Sequence, residues 1–368
     1  MPRSPVFVPS ATMALWHGLK ASCYVAHGTI PASDSWTRRD RSTLMHIPDG
    51  FIDGKTAVTA AAISAVGVGL ALRQVRRELA PRRVPLLGLA AAFLFAAQMV
   101  NFPVAGGTSG HLMGGVLVAA LLGPSAAIVV LTAVLIVQCF LFADGGVSAL
   151  GANLLNMGIL GAGGGYLAYR LVSSRIRGLR GQVTGVAFGG WVSTVLAAIG
   201  CAGELAWSHT VAWSAGFPMM TSVHMVIGIG EGLVSALAFA AIARTRPEIV
   251  AERTPASGGT LPGGVLRYGL LVALGLAVFV APFASPWPDG LESVAAKLGF
   301  DGHGTSAIVH APVPDYRLPG IHSAAGATAL AGALGTLVVL VLALALGRVL
   351  VRKTANDLTR ESKKEPSC

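Results

Sequence analysis

Apolar positions in this chain come in long runs, separated by short stretches rich in glycine, proline or arginine. A run of about 17 to 25 apolar residues can cross a hydrocarbon core of roughly 30 Å as one helix, in which every backbone polar group is satisfied internally. Read this way, the pattern predicts spans at 56–72, 84–100, 111–122, 125–142, 150–169, 183–207, 221–243, 265–281 and 324–346. The third is short for a full crossing, and is expected to be tilted or a partly re-entrant segment buried in protein. The fold class implied is an all-α polytopic membrane protein with about nine transmembrane segments.

Composition agrees: 53% of the residues are hydrophobic, only 12% are charged, and the mean hydropathy is +0.67. Length therefore counts helices here rather than globular cores. The net charge of +10 is an orientation signal. Arg73, Arg76, Arg77, Arg82 and Arg83 follow span one, and Arg170, Arg175, Arg177 and Arg180 follow span five. Arg244, Arg246, Arg253 and Arg267 follow span seven, and Arg348, Arg352 and Lys353 follow span nine. With the Met45 end outside, all four clusters and the C-terminus fall in the cytoplasm, as the positive-inside rule requires of a plasma-membrane protein. No nucleic-acid partner is expected. The four cysteines show no CxxC spacing, so neither a disulfide framework nor a thiolate metal site is indicated.

Residues 1–44 contain no apolar run long enough for a signal-peptide core, yet they carry Arg38, Arg39 and Arg41 on what would be the outer side. They oppose the topology that the other clusters support, and are expected to be a start-site artefact or a disordered extension.

Beyond Met45 the few polar residues near the spans gather in stretches rich in Gly and Asn, and intramembrane polarity is costly enough to make each a candidate site. In "NFPVAGGTSGHLMGG" (101–115), Pro103, Gly106, Gly107 and Gly110 mark a loop from which His111 emerges. His111 is either a metal ligand or an interfacial histidine beside a helix-packing GxxxG face. In "GANLLNMG" (151–158), Asn153 and Asn156 are three apart and share a helical face. In "HMVIGIGEG" (224–232), His224 and Glu231 are seven apart on a common face, suiting an internal polar network, a cation site or a proton shuttle. "GFIDGKT" (50–56) ends like a phosphate-binding loop, but its first glycine is one residue too late, so ATP-driven work needs a partner chain. HExxH, GxSxG and EF-hand patterns are missing, and no cofactor is called for.

"MHIPDG" (45–50) carries its own chemistry if the chain starts at Met45. The free amine, the amide nitrogen of His46 and the His46 imidazole can then close adjacent chelate rings on one divalent ion. Such a nitrogen set suits Ni(II), Cu(II) or tetragonal Co(II) and not Mg or Ca. His111 is on the same face of the membrane and can add the fourth nitrogen. The same start removes the anomalous outer arginines.

At "MHIPDGFI" (45), "NFPVAGGTSGHLMGGVLVAALLGP" (101), "GANLLNMG" (151), "HMVIGIGEGL" (224) and "PDGLESVA" (288), the chain resembles the substrate-specificity component of cobalt/nickel energy-coupling-factor transporters. "PDGLESVAAKLGF" (288–300) and "PDYRLPG" (314–320) resemble the extracytoplasmic loop of the small two-span auxiliary subunit, fused here at the C-terminus. The resemblance implies a seven-segment module at 45–252, a linker at 253–264 rich in Pro and Gly, a two-span module at 265–350 and a polar cytoplasmic tail at 351–368. It implies transport of Co(II) or Ni(II), held by Met45, His46 and His111. The implied partners are a coupling transmembrane subunit and two ATPase subunits, in membrane lipid. Asp49, Asn101, Ser109, Asn153, Asn156, His224 and Glu231 become candidates for supporting the ligands or lining the transport path. Two rivals are a secondary metal-ion transporter using a His224/Glu231 proton relay and an intramembrane metalloenzyme on the same pair. His303, His310 and His322 are read as solvated loop histidines.

Overall fold

The computed structural model describes residues 46–251 and 263–362. Residues 1–45, including the N-terminal extension and Met45, and nearly all of the linker lie outside the described residues. Among the described residues six helices are long and apolar enough to cross a membrane. These are α1 (Gly54–Glu78), α4 (Pro124–Phe142), α6 (Gly178–Trp207), α7 (Trp213–Thr245), the span Gly264–Phe283 and the first 27 residues of α10 (Ala324–Ser362). The span Gly264–Phe283 consists of α8 (Gly263–Gly275) and two short turns of different pitch that follow it.

The other three predicted spans take distinct forms. α2 (Val84–Gln98) has only 15 residues but is almost wholly buried. Residues 111–114 belong to neither helix nor strand, and helix begins only at Gly115, so the third predicted span reduces to α3 (Gly115–Leu122). At 1.5 Å per residue α3 rises about 12 Å, whereas the 19 residues of α4 rise about 28 Å. The loop that precedes α3 therefore lies at membrane depth, enclosed by protein. The fifth, α5, runs from Leu150 to Arg175, with its middle, Leu154–Gly164, wound as a π-helix. One small hairpin departs from the all-α expectation: β1 (Phe102–Val104) pairs antiparallel with β2 (Thr108–Gly110), Pro103 opposite Ser109.

Local chemistry starts and stops these elements. Asp53 caps α1 by accepting from the Thr56 amide at 2.9 Å, and Arg76 and Arg77 sit in its last turn, where the helix dipole favours cations. α9 (Gly290–Leu298) begins with a capping box: the Asp289 carboxylate accepts from the Glu292 amide at 2.7 Å, and Glu292 accepts from the Asp289 amide at 3.1 Å. The auxiliary-like motif thus starts a short helix outside the spans.

α6 pairs with α7 along most of their length, and α7 in turn packs on α9. α2 is flanked by α8 and α10, both from the C-terminal part of the chain. One apolar core consequently draws on both modules: Leu87, Phe95 and Phe142 from the first with Tyr316, Ala331 and Val339 from the second. Phe95 is fully buried, its ring 5.3 Å from Phe142 and 6.1 Å from Tyr316. α10 continues as helix to Ser362, well past the predicted end of the last span.

Phe95→Ala is expected to cost roughly 3–5 kcal/mol by opening a cavity in that shared core. Thermal unfolding in detergent should show one transition at lower temperature; two separate transitions would mean that the modules melt independently.

Candidate metal centre

The segment after Met45 is buried and tightly held. Asn153 grips Ile47 from both sides, its carbonyl oxygen accepting from the Ile47 amide at 3.0 Å and its NH2 donating to the Ile47 carbonyl at 3.2 Å. The Gly146 amide donates to the same carbonyl at 2.9 Å. Position 146 must be glycine, because a Cβ there would come within 2.7 Å of the Pro48 carbonyl carbon and 2.6 Å of an Asp49 carboxylate oxygen. Asp49 accepts from the Ser148 amide (2.9 Å) and hydroxyl (2.6 Å), and from the Ile308 amide (3.2 Å). Its own carbonyl receives the Thr305 amide at 2.9 Å. Asp49 thus clamps the start of the described chain to both modules.

These ties fix His46. Its Nδ1 donates to Asp144 Oδ1 at 2.9 Å, and the other Asp144 oxygen accepts from the Tyr316 hydroxyl at 2.6 Å. An ionised carboxylate only accepts, so Nδ1 carries the hydrogen of this bond. His46 Nε2 is buried and has no hydrogen-bond partner. Tyr316 stacks on Phe142 with centroids 4.6 Å apart; burial, then the Asp144 charge, pushes its phenol well above the ordinary range, so it stays a donor.

His111 is placed by a different carboxylate. Glu231 on α7 accepts from the Met113 amide at 2.7 Å and the Gly114 amide at 2.9 Å, with the Ser235 hydroxyl at 3.4 Å. Gln98 donates to the Met113 carbonyl at 3.2 Å, and Gln138 donates to Gln98 at 2.9 Å. On the other side the hairpin holds the auxiliary-like motif: the Ser109 amide and hydroxyl donate to the Pro288 and Trp287 carbonyls at 2.8 Å, and the Thr108 hydroxyl to Pro288 at 3.0 Å. The Asn101 carbonyl receives the Ser285 amide at 2.9 Å. Asp289, under β2, is buried, and burial followed by the Glu292 charge raises its pKa well above the usual carboxylate range. The His111 ring stands with its centroid 6.2 Å from that of His46, and its Nδ1 is likewise buried without a partner.

Both histidines line one cavity of about 90 Å³, with His224, Asn153, Asn156 and Cys201 also on its wall. His224 donates from Nδ1 to the Met220 carbonyl at 2.8 Å and lies against Gly290. Its described bonds do not reach Glu231, whose partners are the loop amides. Sequence had paired these two residues; the structure gives them separate tasks. Among the described residues no three of His, Cys, Asp and Glu converge as a metal-binding group, and Met45 lies outside them. His303, His310 and His322 are exposed.

Among the buried polar residues that sequence reasoning misses, Asp144, Tyr316 and Glu204 bear most on the site. Asp144 lies in "FADGG", where the acidic residue reads as turn chemistry. Tyr316 lies inside a quoted motif whose tyrosine was not singled out. Glu204 is an acid within an apolar span, so the cost of intramembrane charge was the signal that would have found it.

The family model described as the cobalt uptake substrate-specific transmembrane region matches residues 46–249, and that of the PDGLE domain matches 263–352. A relative from Archaeoglobus fulgidus, provisionally named a fused nickel transport protein, is 36% identical over 306 residues, covering 83% of this chain and 98% of its own. The fused nickel transport protein NikMN of Rhodobacter capsulatus is 31% identical over 278 residues, covering 69% and 78%. A solved structure of a transition metal transporter is 32% identical with a TM-score of 0.50, covering 55% of this chain and 93% of that one.

Glu231→Gln replaces one acceptor oxygen by an NH2 that faces a backbone N–H. The expected cost is about 1.5–3 kcal/mol, read as a lower unfolding midpoint in detergent; an unchanged midpoint would show that the loop does not depend on the carboxylate.

Proposed function

The chain belongs to the cobalt uptake substrate-specific transmembrane family, with a PDGLE domain fused behind that region, and from this premise we propose that it captures Co(II) or Ni(II) from outside the cell for ATP-driven import. It is a membrane-embedded metal transport protein and not an enzyme.

The observation that carries the proposal is the pair of buried imidazoles. Both line one cavity, their centroids are 6.2 Å apart, and Nδ1 of His111 is buried without a partner. Two imidazoles sharing one ion, with nitrogen–metal distances of about 2 Å, place their centroids no more than roughly 6.5 Å apart. The remaining donors are the amine of Met45 and the amide nitrogen of His46, for a chain that starts at Met45. Such an all-nitrogen set favours Co(II) and Ni(II) over the more abundant Mg(II) and Ca(II).

A chelate with its own amide uses Nδ1 of His46, the nitrogen that donates to Asp144 in this structure. Capture therefore turns the imidazole and displaces its proton. Asp144 keeps the Tyr316 hydroxyl as a donor throughout, so a buried carboxylate is not stranded when the histidine leaves.

Orientation follows from charge. Arg76 and Arg77 end α1, and Arg175 ends α5. Arg177 caps α6, and Arg244 is in the last turn of α7. Each is at the end of its helix remote from His46, so the positive-inside rule puts the site outside and the basic ends in the cytoplasm. Without a phosphate-binding loop of its own, the chain depends on a coupling transmembrane subunit and two ATPase subunits, which reorient it for release. A lone secondary transporter on a His224/Glu231 relay is disfavoured, because Glu231 is committed to the Met113 and Gly114 amides.

The test is titration calorimetry with Ni(II) and Co(II) on protein starting at Met45, beside the full 368-residue chain. Tight binding is expected only for the shorter form and lost in His111→Ala. Equal binding by both forms would remove the terminal amine from the site. Uptake by cells is expected only when the ATPase partners are co-expressed; uptake by this chain alone would overturn the energy-coupling part of the reading.

A further inference from the structure

α5 and α6 bury a polar pair that the capture site does not use. Asn156 and Glu204 are 4% and 8% exposed, and the Asn156 NH2 donates to Glu204 Oε2 at 2.6 Å. The other oxygen of each side chain, Asn156 Oδ1 and Glu204 Oε1, is buried with no hydrogen-bond partner. The contrast with Glu231 is informative. Glu231 has two backbone amides and a hydroxyl, which is the full satisfaction expected of a buried carboxylate that only holds structure together. Glu204 has one donor for two oxygens, at a depth where an unmet acceptor is costly.

We infer that Asn156 and Glu204 form a second, oxygen-donor station for the divalent cation, at the edge of the cavity that the two histidines line. This rests on the reading that the cation is the cargo. Asn156 lines the same cavity as His46 and His111, so an ion in that cavity can reach the amide oxygen, with Glu204 bonded to Asn156 at the cavity's edge. It sits one helical turn beyond Asn153, the residue that grips Ile47, on the helix that leads away from the capture site toward Arg175. One N–H of the amide goes to the carboxylate, which leaves the Asn156 amide oxygen and the second Glu204 oxygen as buried acceptors without a donor. Two acceptors without donors are a place for a cation.

Two features of the backbone serve this arrangement. The π-helical stretch Leu154–Gly164 contains Asn156, and such widened turns occur mostly at functional sites. On α6, Gly200 leaves the space that the Asn156 amide oxygen occupies; a Cβ there would collide with it and with Leu160. Oxygen donors hold late first-row ions less tightly than a set of imidazole, amine and amide nitrogens. The cation therefore has a tight site that captures it and, beside it, a looser one that can hold it in transit.

The experiment is equilibrium dialysis of radioactive Ni(II) with the protein starting at Met45, and uptake into cells carrying its coupling and ATPase partners, for wild type, Glu204→Gln and His111→Ala. Gln retains an acceptor for the Asn156 NH2, removes the charge and turns the second oxygen into an NH2 that cannot hold a cation. Wild type is expected to bind one tight and one weaker equivalent. Glu204→Gln should keep the tight equivalent, lose the weaker one and reduce uptake at least tenfold. Wild-type protein with no weaker equivalent, or Glu204→Gln uptake within twofold of wild type, would overturn the inference. His111→Ala keeps the outcomes apart: if it retains the tight equivalent, the capture-site reading fails, whatever Glu204 does.

Discussion

A carboxylate buried against two backbone amides sets the terms for the rest of this structure. Residues 111–114 have no helix to satisfy their peptide groups, yet the shortness of α3 places them at membrane depth. Bare backbone is tolerated there only when protein supplies the missing partners. Glu231 does so for Met113 and Gly114, and Gln98 for the Met113 carbonyl. With those groups met, the chain can present His111 toward His46 from a non-helical loop, at an angle that neither helix nor sheet would provide.

The second organising fact is that the two modules share one interior. Tyr316 reaches from the PDGLE domain to Asp144, which orients His46, and Ser109 and Thr108 hold the backbone of the PDGLE motif itself. α2 has C-terminal helices on two sides. The C-terminal part is thus a wall of the site and not an appendage, and its aromatic ring packs in the core of the first module.

Much of this was legible in the sequence. Long apolar runs gave the six full spans because length and hydropathy suffice to define them. The glycine-rich loop before α3 and the shortness of that span were visible for the same reason. His46, His111, Asn153 and Asn156 stood out as polar residues in apolar surroundings, and the structure lines one cavity with all four. What stayed hidden was pairing over distance. His224 and Glu231 share a helical face, which suggests a couple, but His224 bonds back to Met220 on its own helix and Glu231 takes loop amides that spacing cannot reveal. Asp144 and Tyr316 are 172 positions apart, and no local pattern announces that they meet. The π-helical winding of α5 leaves no signature in the order of its residues that composition or periodicity could detect.

The hydrogen bonds that join the PDGLE motif to the hairpin are few, and between separate chains such a contact would form and break continually. Carried on one polypeptide, the same contact forms against a local concentration on the order of millimolar, set by the connecting segment and not by expression level. Fusion therefore converts a matter of stoichiometry into one of geometry: every copy of the histidine-lined cavity is made together with the tyrosine that steadies it, at a ratio no imbalance in synthesis can disturb.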